Sequence, residues 1–165
     1  MLDEQQIRRE KLKKIKESGI NPYPSKFNKE DPVIGIKEAE DDTKLKTAGR
    51  ILITRVMGKL CFAHIEDFSG KAQIAIKADE VGKEQFKFFT NHFDPGDFIG
   101  VAGEVFTTHK GEKTLLVKKF ELLSKALLPL PEKWHGLKDE EERLRKRYLD
   151  MIANPEVKEM IVKKA

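Results

Sequence analysis

At 165 residues the chain has room for one ordinary core with accessory helices, since domains most often run about 100–150 residues. A content of 39% hydrophobic and 36% charged residues, with no apolar run near the roughly 20 residues that span a bilayer, argues against a disordered or membrane-spanning class. The net charge of +4 permits nucleic-acid binding without demanding it, and a single cysteine, Cys61, rules out an intrachain disulfide and fits a reducing compartment.

The chain opens "MLDEQQIRREKLKKIK", without the apolar stretch of a signal peptide, so a cytoplasmic location is expected. Residues 3–18 have few breakers and predict a helix ending at Ser18-Gly19, where glycine suits the left-handed position after the last turn. Its apolar stripe of Ile7, Leu12 and Ile15 is thin beside Arg8, Arg9, Lys11, Lys13, Lys14 and Lys16. Residues 1–20 therefore read either as a solvated helix loosely docked on the body or as an arm contacting phosphates. In "NPYPSKF", Pro22 and Pro24 enforce an extended path, and residues 21–45 read as a linker.

From Lys46 the texture changes to short, β-branched apolar runs between turn signals at Gly58, Ser69-Gly70, Pro95-Gly96 and Lys110-Gly111. Strands are expected over 46–57, 59–67, 72–77, 97–106 and 113–123. Between the third and fourth, "DEVGKEQFKFFTNHF" spaces Phe86, Phe89 and Phe93 at i, i+3 and i+7, a helix burying an aromatic stripe. Three strands, a helix and two strands is the element order of a mainly β OB-fold, a five-stranded Greek-key barrel, placed here over residues 46–125. Residues 126–165 read as a hinge and two helices. One starts at Asp139 with Glu142 as a capping box and carries a stripe of Leu144, Tyr148 and Met151 or Ile152; the other opens at Asn154-Pro155-Glu156. The last helix has no stop signal, so the sequence reads as a piece of a longer protein.

Catalysis and metal binding find little support. His64, His92, His109 and His135 stand singly with no partners at zinc spacing, no glycine-rich phosphate loop follows a strand, and Cys61 has no evident base. No metal, cofactor or catalytic residue is expected in this chain. A base-binding reading does better. In "GKLCFAHIE" the phase puts Cys61, Ala63 and Ile65 on one face and Leu60, Phe62, His64 and Glu66 on the other. Exposed aromatics hold single-stranded nucleic acid by stacking, worth about 1–3 kcal/mol per base. Phe62, near Arg55 and Lys59, fits that role, although twist or a bulge would equally let it fill the core. Gln73 faces away from Ile74 and Ile76. Uracil presents acceptor, donor and acceptor on its pairing edge, so an arginine can donate to a carbonyl while Gln73 or Glu112 accepts from N3–H. A polar strand residue and a turn residue are the plain alternatives for those two.

The stretches "INPYPSKF", "AGRILITRVMGKLCFAHIED", "GKAQIAI" and "LPLPEKWHGLKDEEERLRKRYLDMIANPEV" resemble the N-terminal region of class II lysyl-tRNA synthetases over nearly the whole chain. The last stretch is the most specific, being long and similar to the family's hinge between its anticodon-binding and catalytic domains. Aspartyl and asparaginyl relatives share the spacing of Phe62, Asp67, Gly70 and Gln73 but are less similar around "RVMGK" and the hinge. The resemblance implies that Arg55, Phe62 and Gln73 surround the central anticodon uridine of lysine tRNA and that Glu112 lies near the first anticodon base. His64 and Lys113-Thr114 depart from the family's pattern. It also implies a homodimeric parent ligase dependent on ATP and magnesium. Motifs 2 and 3 of the class II active site do not occur in these residues, so the chain alone is expected to be inactive. The alternatives are a sequence-tolerant single-strand-binding OB module, an aspartyl or asparaginyl anticodon domain, and a protein-interaction or dimerisation module.

Overall fold

The computed structural model describes residues 3–131, 137 and 139–165; all of "EKWHG", His135 included, and Lys138 lie outside the described residues. The chain divides into two compact units, one reaching Leu128 and the other starting at Pro129.

The first unit opens with helix α1, Glu4–Glu17, started by a capping box in which Asp3 accepts from the Gln6 backbone and the Gln6 side chain accepts from the Asp3 backbone. This helix is not loosely docked. Ile15 is fully buried, and the buried Arg8 guanidinium donates to the carbonyls of Pro95 (3.0 Å) and Ala126 (3.4 Å). Residues 21–45 are more than a linker. Val33 and Ile36, three apart around the short helix α2 (Gly35–Glu38), enter the core, and Asp31 accepts from the Lys46 backbone at 2.8 Å. An extended, proline-broken segment can still bury two apolar side chains wherever one turn brings them to the same side.

Among the described residues of this unit five strands close into a ring in the order β1 (Lys44–Met57), β2 (Leu60–Glu66), β3 (Lys71–Lys77), β5 (Lys113–Ser124) and β4 (Phe98–Thr107). Only β3 and β5 run parallel; the other neighbours are antiparallel. The inward phase is Cys61, Ala63 and Ile65 on β2, Ala72, Ile74 and Ile76 on β3, and Ile99, Val101 and Val105 on β4, all essentially without solvent contact. The aromatic segment forms two helices, α3 (Ala78–Val81) and α4 (Lys83–His92), not one. Gly82 separates them at φ +93°, a backbone conformation that residues with a Cβ rarely adopt. The period of Phe86, Phe89 and Phe93 survives: Phe89 stacks on Phe93 at 4.8 Å, and Phe120 meets both edge-on at 5.6 Å.

A buried ion cluster joins α1 to the barrel. The Lys125 amine, wholly inaccessible, donates to both oxygens of Asp97 (2.9 and 2.8 Å) and to Asp94 (2.7 Å), which also accepts from Lys11. Asp97 accepts in addition from the Asp94 and Ala126 backbones, both at 2.8 Å. Burial pushes the Asp97 carboxyl up, opposed by Lys125.

In the second unit α5 (Glu140–Arg145) starts at Asp139, which accepts from the Glu142 backbone at 2.9 Å. The expected single helix breaks at Lys146 (φ −116°, ψ 53°) before α6 (Arg147–Ala153). The break shifts the helical phase, leaving Leu144 and Tyr148 exposed while Met151 and Ile152 are half-buried. Helix α7, Pro155–Lys164, has proline in its first turn as expected. Asn154 does not cap it with its side chain, which instead donates to Asp150 at 2.6 Å.

Candidate nucleic-acid interface

The outer face of β1–β3 depends on one irregularity. Strand β1 has a bulge between Ile51, which pairs with Ile65 and is fully buried, and Ile53, which pairs with His64 and is half exposed. Without the extra residue Ile51, Ile53 and Arg55 would share one side; with it, the outer half of β1 changes phase. Arg55 therefore points outward opposite Phe62, and Phe62 in turn lies opposite Ala75. The next row is Ile53, His64, Gln73 and Thr114, the last supplied by the parallel β3–β5 pairing.

Phe62 is half-buried on this outer face, while its strand neighbours Cys61 and Ala63 are buried. The core-filling alternative for Phe62 is therefore not what the barrel adopts. Gln73 is half-buried too, and its amide nitrogen donates to the Thr114 hydroxyl at 2.9 Å, which leaves the amide oxygen to accept. Glu112 comes from the β4–β5 turn. Its backbone is held by Thr108 on both sides, the Thr108 N–H donating to the Glu112 carbonyl (3.0 Å) and the Glu112 N–H to the Thr108 hydroxyl (3.1 Å). Its carboxylate lies 3.4 Å from the His64 Nε2. Arg55, Phe62 and Gln73 thus share one face, and Glu112 joins at its edge through His64. Thr114 as a partner of Gln73 has no signature in the sequence, because a parallel pairing across 41 positions leaves no local trace.

The turn beside this face is fixed by Asp67. Its carboxylate accepts from the backbones of Val33 (3.0 Å), Ser69 (2.8 Å) and Gly70 (3.2 Å) and pairs with Lys29. Burial works against its charge, but these donors more than offset it and hold the carboxyl at about 2. The Cys61 thiol is pushed up to about 11 by burial, which suits packing and not nucleophilic chemistry. Among the described residues no group of three or more His, Cys, Asp or Glu side chains is placed to hold a metal ion, and no helix is long and apolar enough to cross a membrane.

A closed five-stranded ring with β3 and β5 parallel, a helix between β3 and β4 and a polar–aromatic outer face defines an OB-fold barrel of the nucleic-acid-binding class. The model of the tRNA anticodon family, an OB-fold nucleic acid binding domain, matches residues 45–123. Lysine–tRNA ligases are similar over most of the chain: that of Thermosipho africanus is 48% identical over 154 residues (88% of this chain, 31% of the relative). That of Fusobacterium nucleatum is 48% identical over 168 (99% and 34%), and that of Syntrophomonas wolfei 46% over 162 (96% and 33%). Residues 45–123 are an OB-fold domain of the tRNA anticodon family, and the chain is similar over most of its length to lysine–tRNA ligases while spanning about a third of the length of these curated relatives.

Proposed function

We propose that the chain holds the anticodon stem-loop of a lysine tRNA on the outer face of β1–β3. Phe62 stacks on the central uridine, Arg55 donates to one of its carbonyls, and Gln73 accepts from its N3–H. Glu112 accepts from the first anticodon base. The observation that carries this reading is the register that aligns Arg55 with Phe62 and leaves the Gln73 amide oxygen free one row away. An aromatic surface with an unspent donor and an unspent acceptor beside it matches one base with a mixed edge.

On the wider reading, the chain serves a class II lysine–tRNA ligase that is homodimeric, works in the cytoplasm and uses ATP and magnesium. The chain alone then binds tRNA without aminoacylating it, since motifs 2 and 3 do not occur in it.

The test is binding of a stem-loop RNA with three consecutive loop uridines at one fixed salt concentration, because phosphate contacts are salt-dependent. Phe62→Ala is expected to weaken binding by about 1–3 kcal/mol, and cytidine at the central position to weaken it in the wild type. Equal binding by wild type and Phe62→Ala overturns the stacking role. Indifference to cytidine turns the domain into a sequence-tolerant single-strand binder.

A further inference from the structure

His64 has no place in the reading above, yet it stands in the middle of the face. It lies in the row between Ile53 and Gln73, two residues along β2 from Phe62 and so about 7 Å away, on the same side of the sheet. Its Nε2 meets the Glu112 carboxylate at 3.4 Å, across 48 positions of sequence. The backbone of Glu112 is already fixed by Thr108, so the freedom that remains is in its side chain, 44% exposed and touched by His64. A carboxylate facing RNA is repelled by phosphates and helps only when aimed at a base donor.

We propose that His64 is a positioning residue. With hydrogen on Nε2 it donates to one Glu112 oxygen and holds the other toward the nucleotide beside the one stacked on Phe62, where it accepts from the base N3–H. Glu112 thereby reads a neighbouring base and not the stacked one, because it is anchored one row along the face. This inference rests on the proposed anticodon-loop function and assigns to His64 the aiming of one of its contacts.

The experiment uses the full chain and the same three-uridine stem-loop. It is compared with stem-loops carrying 3-methyluridine, which has no N3–H, either at the central position or at the position 5′ to it. In His64→Ala the preference for uridine over 3-methyluridine at the 5′ position is expected to fall about three- to tenfold, the usual scale of coupling between contacting side chains, while the central preference stays. The same substitution in a Glu112→Ala background is expected to change nothing further, and His64→Gln, whose amide can still donate to Glu112, to restore part of the preference. Undiminished 5′ preference in His64→Ala, or an equal loss with and without Glu112, overturns the proposal. Both are separable from failure of the underlying function. If Phe62→Ala binds as well as the wild type, the anticodon reading itself falls and this inference with it; if Phe62→Ala binds poorly and only the His64 result fails, the anticodon reading stands.

Discussion

Around Lys125 the central ion pair is closed off from water and its flanking charges nearly so, whereas on the outer face of β1–β3 polar groups stand half in water with bonding capacity left over. Both regions carry acidic and basic side chains. Lys125 and Asp97 are both fully inaccessible and satisfy each other twice, with two backbone N–H groups completing the carboxylate. Arg55 is exposed, the Gln73 oxygen is unspent, and Glu112 makes one 3.4 Å contact. A charged group surrounded by complete partners serves the fold, since removing any partner strands the rest. One with spare capacity on an open aromatic surface is available to a ligand at little structural cost.

The sharpest way to break that distinction is Lys125→Met, which fills the same space but leaves the Asp97 carboxylate buried without its counter-ion. A loss of about 3–5 kcal/mol is expected from urea unfolding. Adding Asp97→Asn should recover part of it, and stem-loop binding by the folded fraction should be unchanged. An unaltered unfolding midpoint would mean that the cluster is not structural.

Asp67 sits between the two regions in character, part of the fold but next to the binding face. Its carboxyl is held at about 2, below the roughly 3.9 of an unfolded aspartate, so its contribution is present above about pH 4 and is lost as the pH falls through 2. Asp67→Asn is expected to lose about 2 kcal/mol at neutral pH, with the gap from wild type closing on acidification. Urea unfolding at several pH values checks this; a pH-independent gap would tie the loss to packing and not to the charge.

Phe62→Ala sharpens the comparison from the other side. Because the ring is half-buried, the variant should lose only about 1 kcal/mol of stability while losing about 1–3 kcal/mol of stem-loop binding. Parallel unfolding and binding titrations separate the two; a stability loss as large as that of Lys125→Met would place Phe62 with the core.

Most of the barrel was legible because its strands alternate cleanly: Cys61, Ala63, Ile65 and Ala72, Ile74, Ile76 announce one buried side with a period of two, and the phenylalanines announce a helix with its own. The same alternation put Phe62 and Gln73 opposite the apolar phase but left open whether twist or a bulge turns Phe62 into the core. Arg55 reached that face through a bulge, which changes phase at one residue and has no signature in composition. The resemblance grouped Arg55 with Phe62 and Gln73 by similarity, not by pattern. The buried cluster was illegible for a different reason. Lys11, Asp94, Asp97 and Lys125 lie in segments far apart in sequence, and each looks like any solvated charge until the barrel closes. The His64–Glu112 contact is hidden in the same way.

Helix α1 contains both kinds of charge on one element, and it gives the comparison its finest test. Its inward cations, Arg8 and Lys11, are spent on Pro95, Ala126 and Asp94, which is why the helix docks despite an apolar stripe of which only Ile15 is fully covered. Its outward cations, Arg9, Lys13, Lys14 and Lys16, are exposed, and Lys13 meets Glu17 only at 3.8 Å. Exposed cations that merely solvate leave no mark on RNA binding, whereas each one that neutralises a phosphate changes the slope of log affinity against log salt by about 0.7–0.9. Replacing Arg9, Lys13 and Lys16 together by alanine is therefore expected to leave both the unfolding midpoint and the salt slope of stem-loop binding unchanged. A slope reduced by about two units would extend the RNA-binding surface from the β1–β3 face onto α1, and the helix would then hold the barrel with one side and the RNA with the other.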